Sequence, residues 1–149
     1  MKSKKKLLAK SRLYIIIDKR ISAGHTLSDI ATKLRDSGAD IIQFRDKHSN
    51  KDSILECAFL LRKLLSNPDV LFILNDYLDI AKIVDCDGVH LGQNDTSIEV
   101  ARKILGKDKI IGLSCHNLKQ ALLAQEKGAD YIGIGPIFPT PTKPEYKAI

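Results

Sequence analysis

The chain has 149 residues, a hydrophobic fraction of 44% and a formal net charge of +6, which indicate a soluble, globular protein with one core. Its longest apolar runs, such as Leu13–Ile17, are too short to cross a bilayer, so we expect no membrane partner. The three cysteines lack CxxC spacing, which favours a reducing, cytoplasmic location over a disulfide frame or a zinc site.

Much of the positive charge lies in residues 1–12. The lysines and the arginine of this segment have no acidic neighbour there, which predicts a solvated basic tail. Such cations make the phosphate contacts of nucleic-acid complexes. Because no recognition helix, zinc finger or aromatic RNA-binding signature accompanies them, we expect no nucleic-acid partner.

Short β-rich apolar runs alternate with helical patterns along the rest of the chain. The pattern predicts strands at Leu13–Ile17, Ile41–Arg45, Val70–Leu74, Gly88–Leu91, Ile110–Ser114 and Tyr131–Gly135. It predicts helices at about 26–37, 52–66, 77–84, 96–105 and 117–127. Strands that alternate with helices in this way indicate βα units and a parallel sheet.

A short motif with glycine and aspartate recurs before three of the predicted strands. The residues are SGAD at 37–40, KGAD at 127–130 and CDG at 86–88. Glycine after a helix accepts the left-handed conformation in which helices commonly end. The repetition predicts that one unit was copied around a ring.

Polar residues follow five of the predicted strands at the point where each strand ends. The groups are Gln43 to Lys47, Asn75 with Asp76, His90 to Gln93, Ser114 to His116, and the residues from Gly135 onward. Ligands of parallel sheets bind at the carboxyl ends of the strands. Five strands that place polar groups there predict a ligand site at this edge.

The loop that follows the last predicted strand has a composition suited to phosphate. Its glycines allow a ligand to approach the backbone closely, and its prolines cannot continue the sheet. Thr140, Thr142 and Lys143 supply two hydroxyl groups and a cation. We therefore expect this loop to bind a phosphate group.

These motifs resemble the thiamine-phosphate synthase family, whose members adopt a (βα)8 TIM-type barrel. The matching segments are LYIIID at 13–18, QFRDK at 43–47, LND at 74–76, DGVHLGQND at 87–95, IGLSCH at 111–116 and GIGPIFPTPTK at 133–143. The family couples 4-amino-2-methyl-5-hydroxymethylpyrimidine diphosphate to a thiazole phosphate, giving thiamine phosphate and pyrophosphate. The resemblance implies a cytoplasmic, Mg²⁺-using transferase of these small-molecule substrates.

The resemblance implies a partial barrel at residues 13–149. A full (βα)8 barrel needs roughly 200 residues or more, whereas this sequence supplies about six strands and five helices. We therefore expect an α/β barrel without strands seven and eight, whose following loops help to hold the thiazole phosphate in the family. Open sheet edges invite association, so contact between copies of the chain is a further expectation.

The resemblance assigns Asp76 and Asp95 as magnesium ligands. Each lies just beyond a predicted strand, and Mg²⁺ uses one or two carboxylates together with substrate phosphate oxygens. The alternative is that each carboxylate caps the helix that follows it, near Tyr77 and near Thr96.

The resemblance assigns substrate contacts to the QFRDK motif at 43–47. Arg45 and Lys47 alternate along an extended segment and face one way, so together they can hold a diphosphate. A salt bridge to Asp46 or to a neighbouring carboxylate is the alternative for either cation. The Gln43 amide both donates and accepts, which matches an aminopyrimidine edge, although a buried structural glutamine is also consistent.

The remaining assignments concern small polar groups and the last loop. The resemblance places Asn75 and Ser114 near the diphosphate, with Ser114 and Lys143 as catalytic residues. The alternative is that Asn75 or Ser114 satisfies backbone groups of the loops. The resemblance places Thr140 and Thr142 on the thiazole phosphate, and a solvated loop is the alternative for this segment. His90, His116 and Cys115 are interpreted as structural or supporting residues.

Two other functions remain open from the sequence. A thiazole tautomerase resembles the synthase but lacks its diphosphate groups, and the cations and carboxylates above argue against it. A shortened barrel could also be an inactive remnant that binds a phosphate ligand weakly. A turnover assay with both substrates and Mg²⁺ separates these functions.

Overall fold

The computed structural model describes residues 3–19 and 24–138, in which βα units follow one another along the chain. The strands are β1 (Tyr14–Asp18), β2 (Ile41–Arg45), β3 (Leu71–Asn75), β4 (Gly88–Leu91), β5 (Ile110–Cys115) and β6 (Tyr131–Ile134). The helices are α1 (Lys4–Leu8), α2 (Leu27–Asp36), α3 (Lys51–Leu64), α4 (Leu78–Ile83), α5 (Ile98–Leu105) and α6 (Leu118–Glu126). The predicted strands and the five predicted helices are confirmed to within two residues, whereas α1 was not predicted.

The six strands form one parallel sheet in the order β1-β2-β3-β4-β5-β6, so each strand pairs with its neighbour in the chain. The sheet curls strongly, as the 2.7 Å distance between the hydroxyl groups of Tyr14 on β1 and Tyr131 on β6 shows. Within the described residues, β1 and β6 each pair on one side only. The predicted barrel type is therefore confirmed as a curled half-barrel, and a closed ring is not observed.

Strand residues alternate between two apolar layers. One face packs against the helices, where Phe44, Phe72 and Ile111 are fully buried. The other face lines the interior of the half-barrel and holds a smaller cluster of Ile41, Leu71, Ile73 and Ile110. The fully buried β3 reads LFILN without polar alternation, as expected for a strand covered on both faces.

The repeated aspartates hold the amino ends of the strands together. Asp40 accepts the N–H groups of Arg12 and Leu13 at 2.8 and 2.9 Å. Asp87 and Asp130 each accept a strand N–H at 2.9 Å, from Phe72 and Ile111 respectively. Each aspartate thus bonds to the start of the preceding strand, which is the physical basis of the repeat.

The expectation of a solvated basic tail is wrong for α1. Lys4 Nζ lies 2.8 Å from Asp87 Oδ1, and Lys5 Nζ lies 2.8 Å from Asp130 Oδ1. Leu7 and Leu8 pack against the interior apolar cluster. Helix α1 therefore covers the amino end of the half-barrel. The sequence did not indicate this, because the acidic partners of Lys4 and Lys5 lie far along the chain.

Candidate active site at the carboxyl ends of the strands

Asp76 occupies the first position after β3 in a left-handed backbone conformation. Its φ is 63°, a value that Asp tolerates better than most residues other than glycine. Its N–H donates to the His90 carbonyl at 2.9 Å, which ties the end of β3 to β4. Non-glycine residues in this region are strained, and such strain concentrates at functional sites.

Asp95 lies beside Asp76 and is held by the loop after β4. Its Oδ2 accepts the Gly92 N–H at 2.6 Å. Burial raises the pKa of Asp76, and the neighbouring Asp95 carboxylate raises it further. Lys47 opposes this shift, since its Nζ lies 3.1 Å from Asp76 Oδ2. Two carboxylates and a cation therefore share one small volume.

The helix-capping interpretation of these two carboxylates is wrong. Helix α4 has Tyr77 at its N-cap position, without a side-chain cap. Helix α5 is capped by Ser97, whose Oγ accepts the Val100 N–H at 3.4 Å. Neither Asp76 nor Asp95 occupies an N-cap position, so helix capping does not account for either carboxylate.

The carboxylate pair fits a hard divalent cation. Burial and mutual repulsion destabilise the charged form of Asp76, and a bound cation would relieve both effects. Among the described residues no group of three or more His, Cys, Asp or Glu side chains could hold a metal ion. A cation bound by two carboxylates alone needs further oxygen ligands, which a phosphorylated substrate supplies.

Arg45 and Lys47 are both paired with carboxylates. Arg45 Nη1 forms a short ion pair with Asp18 on β1, and Lys47 pairs with Asp76. The salt-bridge alternative is thus observed for both cations, but Asp46 is not the partner. Both pairs lie at the carboxyl ends of their strands, so an anionic ligand at this edge would compete with the two carboxylates.

Asp46 instead stabilises the turn after β2. Its Oδ1 accepts the His48 and Ser49 N–H groups, both at 3.0 Å, and its Oδ2 lies 3.3 Å from Lys19 Nζ. Burial opposes its charge, yet hydrogen bonds from Ser49 and His48 lower the pKa of Asp46 to about 2.

This depressed pKa predicts an acid-sensitive contribution to stability. The Asp46 carboxylate stabilises the fold above its unfolded pKa of 3.8, and the effect is lost as the pH falls towards 2. Asp46→Asn retains an acceptor for the turn. We expect it to lower the free energy of unfolding by up to about 2 kcal/mol at pH 6, and this difference should shrink below pH 4. Urea unfolding at several pH values measures this difference, and Asp36→Asn serves as an exposed control. A difference that is constant between pH 6 and 2.5 would contradict the assignment.

A cavity of about 530 Å³ opens into the interior of the half-barrel. Polar and aromatic side chains line it, namely Tyr14, Gln43, His90, Ser114, His116 and Tyr131. Gln43 is only 2% exposed, and its Nε2 donates to the Tyr14 hydroxyl at 2.6 Å. Ser114 Oγ lies 2.9 Å from His90 Nε2. Two sequence-predicted site residues, Gln43 on β2 and Ser114 on β5, thus line the same cavity.

The other predicted site residues lie at the same edge or outside the described part. Asn75 is buried at the end of β3 and lies opposite His90 in the strand register. Thr140, Thr142 and Lys143 fall outside the described residues, so their roles stay predictions. His116 Nδ1 lies 2.6 Å from the Gly135 carbonyl and joins two strand ends, which agrees with a structural role.

Tyr14, Tyr131 and Asp18 were not predicted as site residues from the sequence. Tyr14 and Tyr131 begin strands β1 and β6, and both side chains point into the interior. Strand alternation could have identified them, because residues an even number of positions apart on a strand share a face, and Tyr14 and Asp18 are four positions apart. A second signal was Gly112, which lies opposite Tyr131 in the register.

Gly112 provides the space that the Tyr131 ring occupies. A Cβ atom at position 112 would lie 2.1 Å from Tyr131 Cζ. We expect Gly112→Ala to displace this ring and to destabilise the fold by about 1–3 kcal/mol. Thermal unfolding measures the loss. The matched control is Gly133→Ala, whose Cβ would meet its nearest neighbour, His90 Cε1, at an ordinary 3.5 Å. Equal stability of the two variants would show that the ring position is not constrained.

Fold and site together define a class of protein. Parallel α/β barrels bind ligands at the carboxyl ends of their strands, and here that edge holds a carboxylate pair, two cations and a polar interior cavity. The chain is therefore an α/β protein of half-barrel type with a candidate ligand site at this edge.

Comparison with known proteins gives the family. Residues 13–149 match the model of the family described as thiamine monophosphate synthase. The chain is 48% identical over 132 residues to the thiamine-phosphate synthase of Shouchella clausii, covering 89% of this chain and 63% of that protein. It is 44% identical over 131 residues to that of Lawsonia intracellularis, covering 88% and 60%.

A solved structure agrees with these sequence matches. The thiamine phosphate pyrophosphorylase from Pyrococcus furiosus superposes with a TM-score of 0.78 at 40% identity, covering 88% of this chain and 63% of that one. The chain belongs to the thiamine monophosphate synthase family. It spans about three fifths of the length of the relatives named here.

Proposed function

We propose that this chain acts as a thiamine-phosphate synthase, joining 4-amino-2-methyl-5-hydroxymethylpyrimidine diphosphate to a thiazole phosphate with release of pyrophosphate. Family membership supplies the reaction. The observation that carries the proposal for this chain is the cluster of Asp76, Asp95 and Lys47 at the ligand-binding edge. Neither helix capping nor packing accounts for two carboxylates placed against each other there.

The diphosphate is the group that this edge is best equipped to bind. Arg45 offers a planar fork of donors, and Lys47 offers a point charge. In the proposed reaction, negative charge builds up on the departing pyrophosphate, and cations that are already in position stabilise it. Asp18 and Asp76 hold the two cations at the strand ends, so little reorganisation is needed when the ligand arrives.

Asp76 and Asp95 would hold a magnesium ion. When bound, Mg²⁺ supplies positive charge to the phosphate oxygens of the leaving group. The two carboxylates would also fix where the diphosphate ends lie relative to Arg45. Without Mg²⁺ and the diphosphate, the ion pair with Lys47 compensates the negative charge of the buried Asp76 carboxylate.

The interior cavity would receive the aminopyrimidine ring. Its volume of about 530 Å³ is in the range of small-molecule sites, and its walls combine aromatic rings with an amide and a hydroxyl group. Gln43 would bind the ring edge, and Ser114 with Asn75 would bind the diphosphate. For Thr140, Thr142 and Lys143, the proposal keeps the roles that the family resemblance implies. The bond between the exocyclic methylene carbon and the diphosphate breaks, pyrophosphate leaves, and the thiazole nitrogen bonds to that methylene carbon. The protein's contribution is positioning and electrostatic stabilisation of the leaving group.

The test combines turnover with binding. Purified protein is incubated with both substrates and Mg²⁺, and thiamine phosphate is quantified by chromatography. In parallel, calorimetry measures pyrophosphate binding with and without Mg²⁺. We expect turnover, and pyrophosphate binding that Mg²⁺ strengthens. Absence of turnover would refute the proposed synthase activity, whether or not pyrophosphate binds.

A binding-only protein is the second candidate, and an observation favours it. Apolar side chains on and beside β6 are exposed, including Ile134 at 53% and Leu118 at 71%. In a closed barrel such positions are covered by neighbouring βα units. Mg²⁺-dependent pyrophosphate binding without turnover would support this candidate, and so would association of copies in analytical ultracentrifugation.

The cellular setting and the partners follow the same proposal. Among the described residues, no helix combines the length and the apolar character needed to span a membrane. The free thiols Cys86 and Cys115 are buried, and burial raises the pKa of both, to about 12 for Cys86, which suits structural rather than reactive thiols. We propose a cytoplasmic protein that acts on small molecules.

A further inference from the structure

Five side chains form a continuous hydrogen-bonded chain across the interior of the half-barrel. Gln43 Nε2 lies 2.6 Å from the Tyr14 hydroxyl, which lies 2.7 Å from the Tyr131 hydroxyl. Tyr131 lies 2.9 Å from His90 Nδ1, and His90 Nε2 lies 2.9 Å from Ser114 Oγ. These hydrogen bonds therefore connect Gln43 to Ser114, the two side chains that the proposed function places at opposite ends of one ligand.

The direction of the donors follows from the amide at one end. The Gln43 amide nitrogen can only donate a hydrogen bond, so the Tyr14 hydroxyl oxygen accepts it. Tyr14 is largely buried, and a buried hydroxyl hydrogen needs an acceptor. Among the described contacts of Tyr14, the Tyr131 oxygen provides it.

The same reasoning continues through the second tyrosine. Having accepted from Tyr14, the Tyr131 hydroxyl has its own hydrogen left to donate, and His90 Nδ1 is within reach. A neutral imidazole that accepts at Nδ1 carries its hydrogen on Nε2. That hydrogen then points at Ser114 Oγ, which accepts it and keeps its hydroxyl hydrogen for another partner.

We infer that Tyr131 is a positioning residue that holds neutral His90 as the Nε2–H tautomer and thereby leaves the Ser114 hydroxyl hydrogen to be donated to a phosphate oxygen of the ligand. This inference rests on the proposed function for the identity of the ligand, but not for the tautomer. If the chain ran in reverse, Ser114 would donate to His90 and would have no hydrogen for an anion.

The surroundings of Tyr131 are built for this contact. Its ring lies over Gly112, where any larger residue would collide with it. The ring centroid lies 5.4 Å from that of His90 and 5.7 Å from that of Tyr14, so the hydroxyl group is held between the two. Tyr131 thus reaches from the last strand of the sheet to both the first strand and β4.

Nitrogen-15 spectra of the histidine side chains test the tautomer directly. At about pH 8.5, where an ordinary imidazole is neutral, His90 should show the Nε2–H pattern, with assignment from His90→Gln. In Tyr131→Phe, the roughly tenfold excess of this form expected from one hydrogen bond should fall to a mixture. The signals of His25, His48 and His116 should stay unchanged and serve as internal controls. A wild-type Nδ1–H pattern, or no change in the folded Tyr131→Phe protein, would overturn the inference.

A double-mutant cycle tests the consequence for the ligand. Tyr131→Phe should weaken Mg²⁺-dependent pyrophosphate binding by about three- to tenfold, in line with the loss of one ordinary hydrogen bond. In the Ser114→Ala background the same change should have an effect of less than about twofold. Equal effects in both backgrounds would show that Tyr131 does not act through Ser114.

The two proposals can fail independently. If the protein shows no turnover but His90 has the expected tautomer and the cycle is coupled, the proposed synthase activity fails and the inference stands. If turnover is normal and the tautomer is reversed, the inference fails and the synthase activity stands. A thermal unfolding curve for each variant confirms that the folded state is being compared.

Discussion

Asp76→Asn is expected to lower Mg²⁺-dependent turnover by at least about a hundredfold while leaving the fold intact. Asparagine accepts the left-handed backbone conformation at this position, so the loop should not rearrange. It removes one of two charges that would hold the metal ion and leaves Lys47 without its carboxylate partner. Steady-state assays across a range of Mg²⁺ concentrations measure the effect.

Stability gives this experiment an independent readout. Burial raises the pKa of Asp76, which means that the folded state disfavours its charge. Asp76→Asn should therefore unfold no more easily than the unsubstituted protein in the absence of metal. The matched control is Asp79→Asn, an exposed carboxylate on α4 that pairs with Lys51 at the surface. Turnover of Asp76→Asn equal to that of the control would show that Asp76 is not a metal ligand.

Asp87→Ala is expected to destabilise the fold by about 3–4 kcal/mol, the largest effect on stability that we predict. Asp87 is buried at the amino end of the sheet, where it accepts the Phe72 N–H and pairs with Arg62 and Lys4. Its removal leaves a buried N–H and two cations without their acceptor. Urea denaturation measures the change.

Two comparisons sharpen this prediction. Asp87→Asn keeps one oxygen for the Phe72 N–H and should lose less stability than Asp87→Ala. Asp36→Ala breaks an exposed pair with Arg35 and should have little effect, since surface ion pairs contribute little. If Asp87→Ala behaved like Asp36→Ala, the amino-end contacts would not hold the sheet together.

Most of the secondary structure was predictable because it is encoded in local spacing. The apolar runs of β2 and β4 coincide with the observed strands at both ends. Helix ends were less accurate, because Ser97 rather than the preceding residues caps α5. Several oxygen-bearing residues lie close together at this boundary, and only the backbone conformation decides which one accepts the first N–H groups.

The candidate site was predicted in part. The family resemblance assigned Asp76, Asp95 and Lys47 to the site, and both Asp95 and Lys47 lie beside Asp76. The pairing of Arg45 with Asp18 was not anticipated, because 27 residues separate the two in the chain. The aromatic groups of the interior were missed for the same reason, since 117 residues separate Tyr14 from Tyr131.

By itself, the sequence determined the type and order of the strands and helices, and it determined which polar residues follow each strand. Those properties depend on side-chain periodicity over a few neighbouring residues. Only the tertiary structure decided which of these residues meet. The curl of the sheet brings β1 to β6, places α1 over the amino-end aspartates, and directs Tyr131 to His90, because contacts between distant segments depend on the packing of the whole sheet.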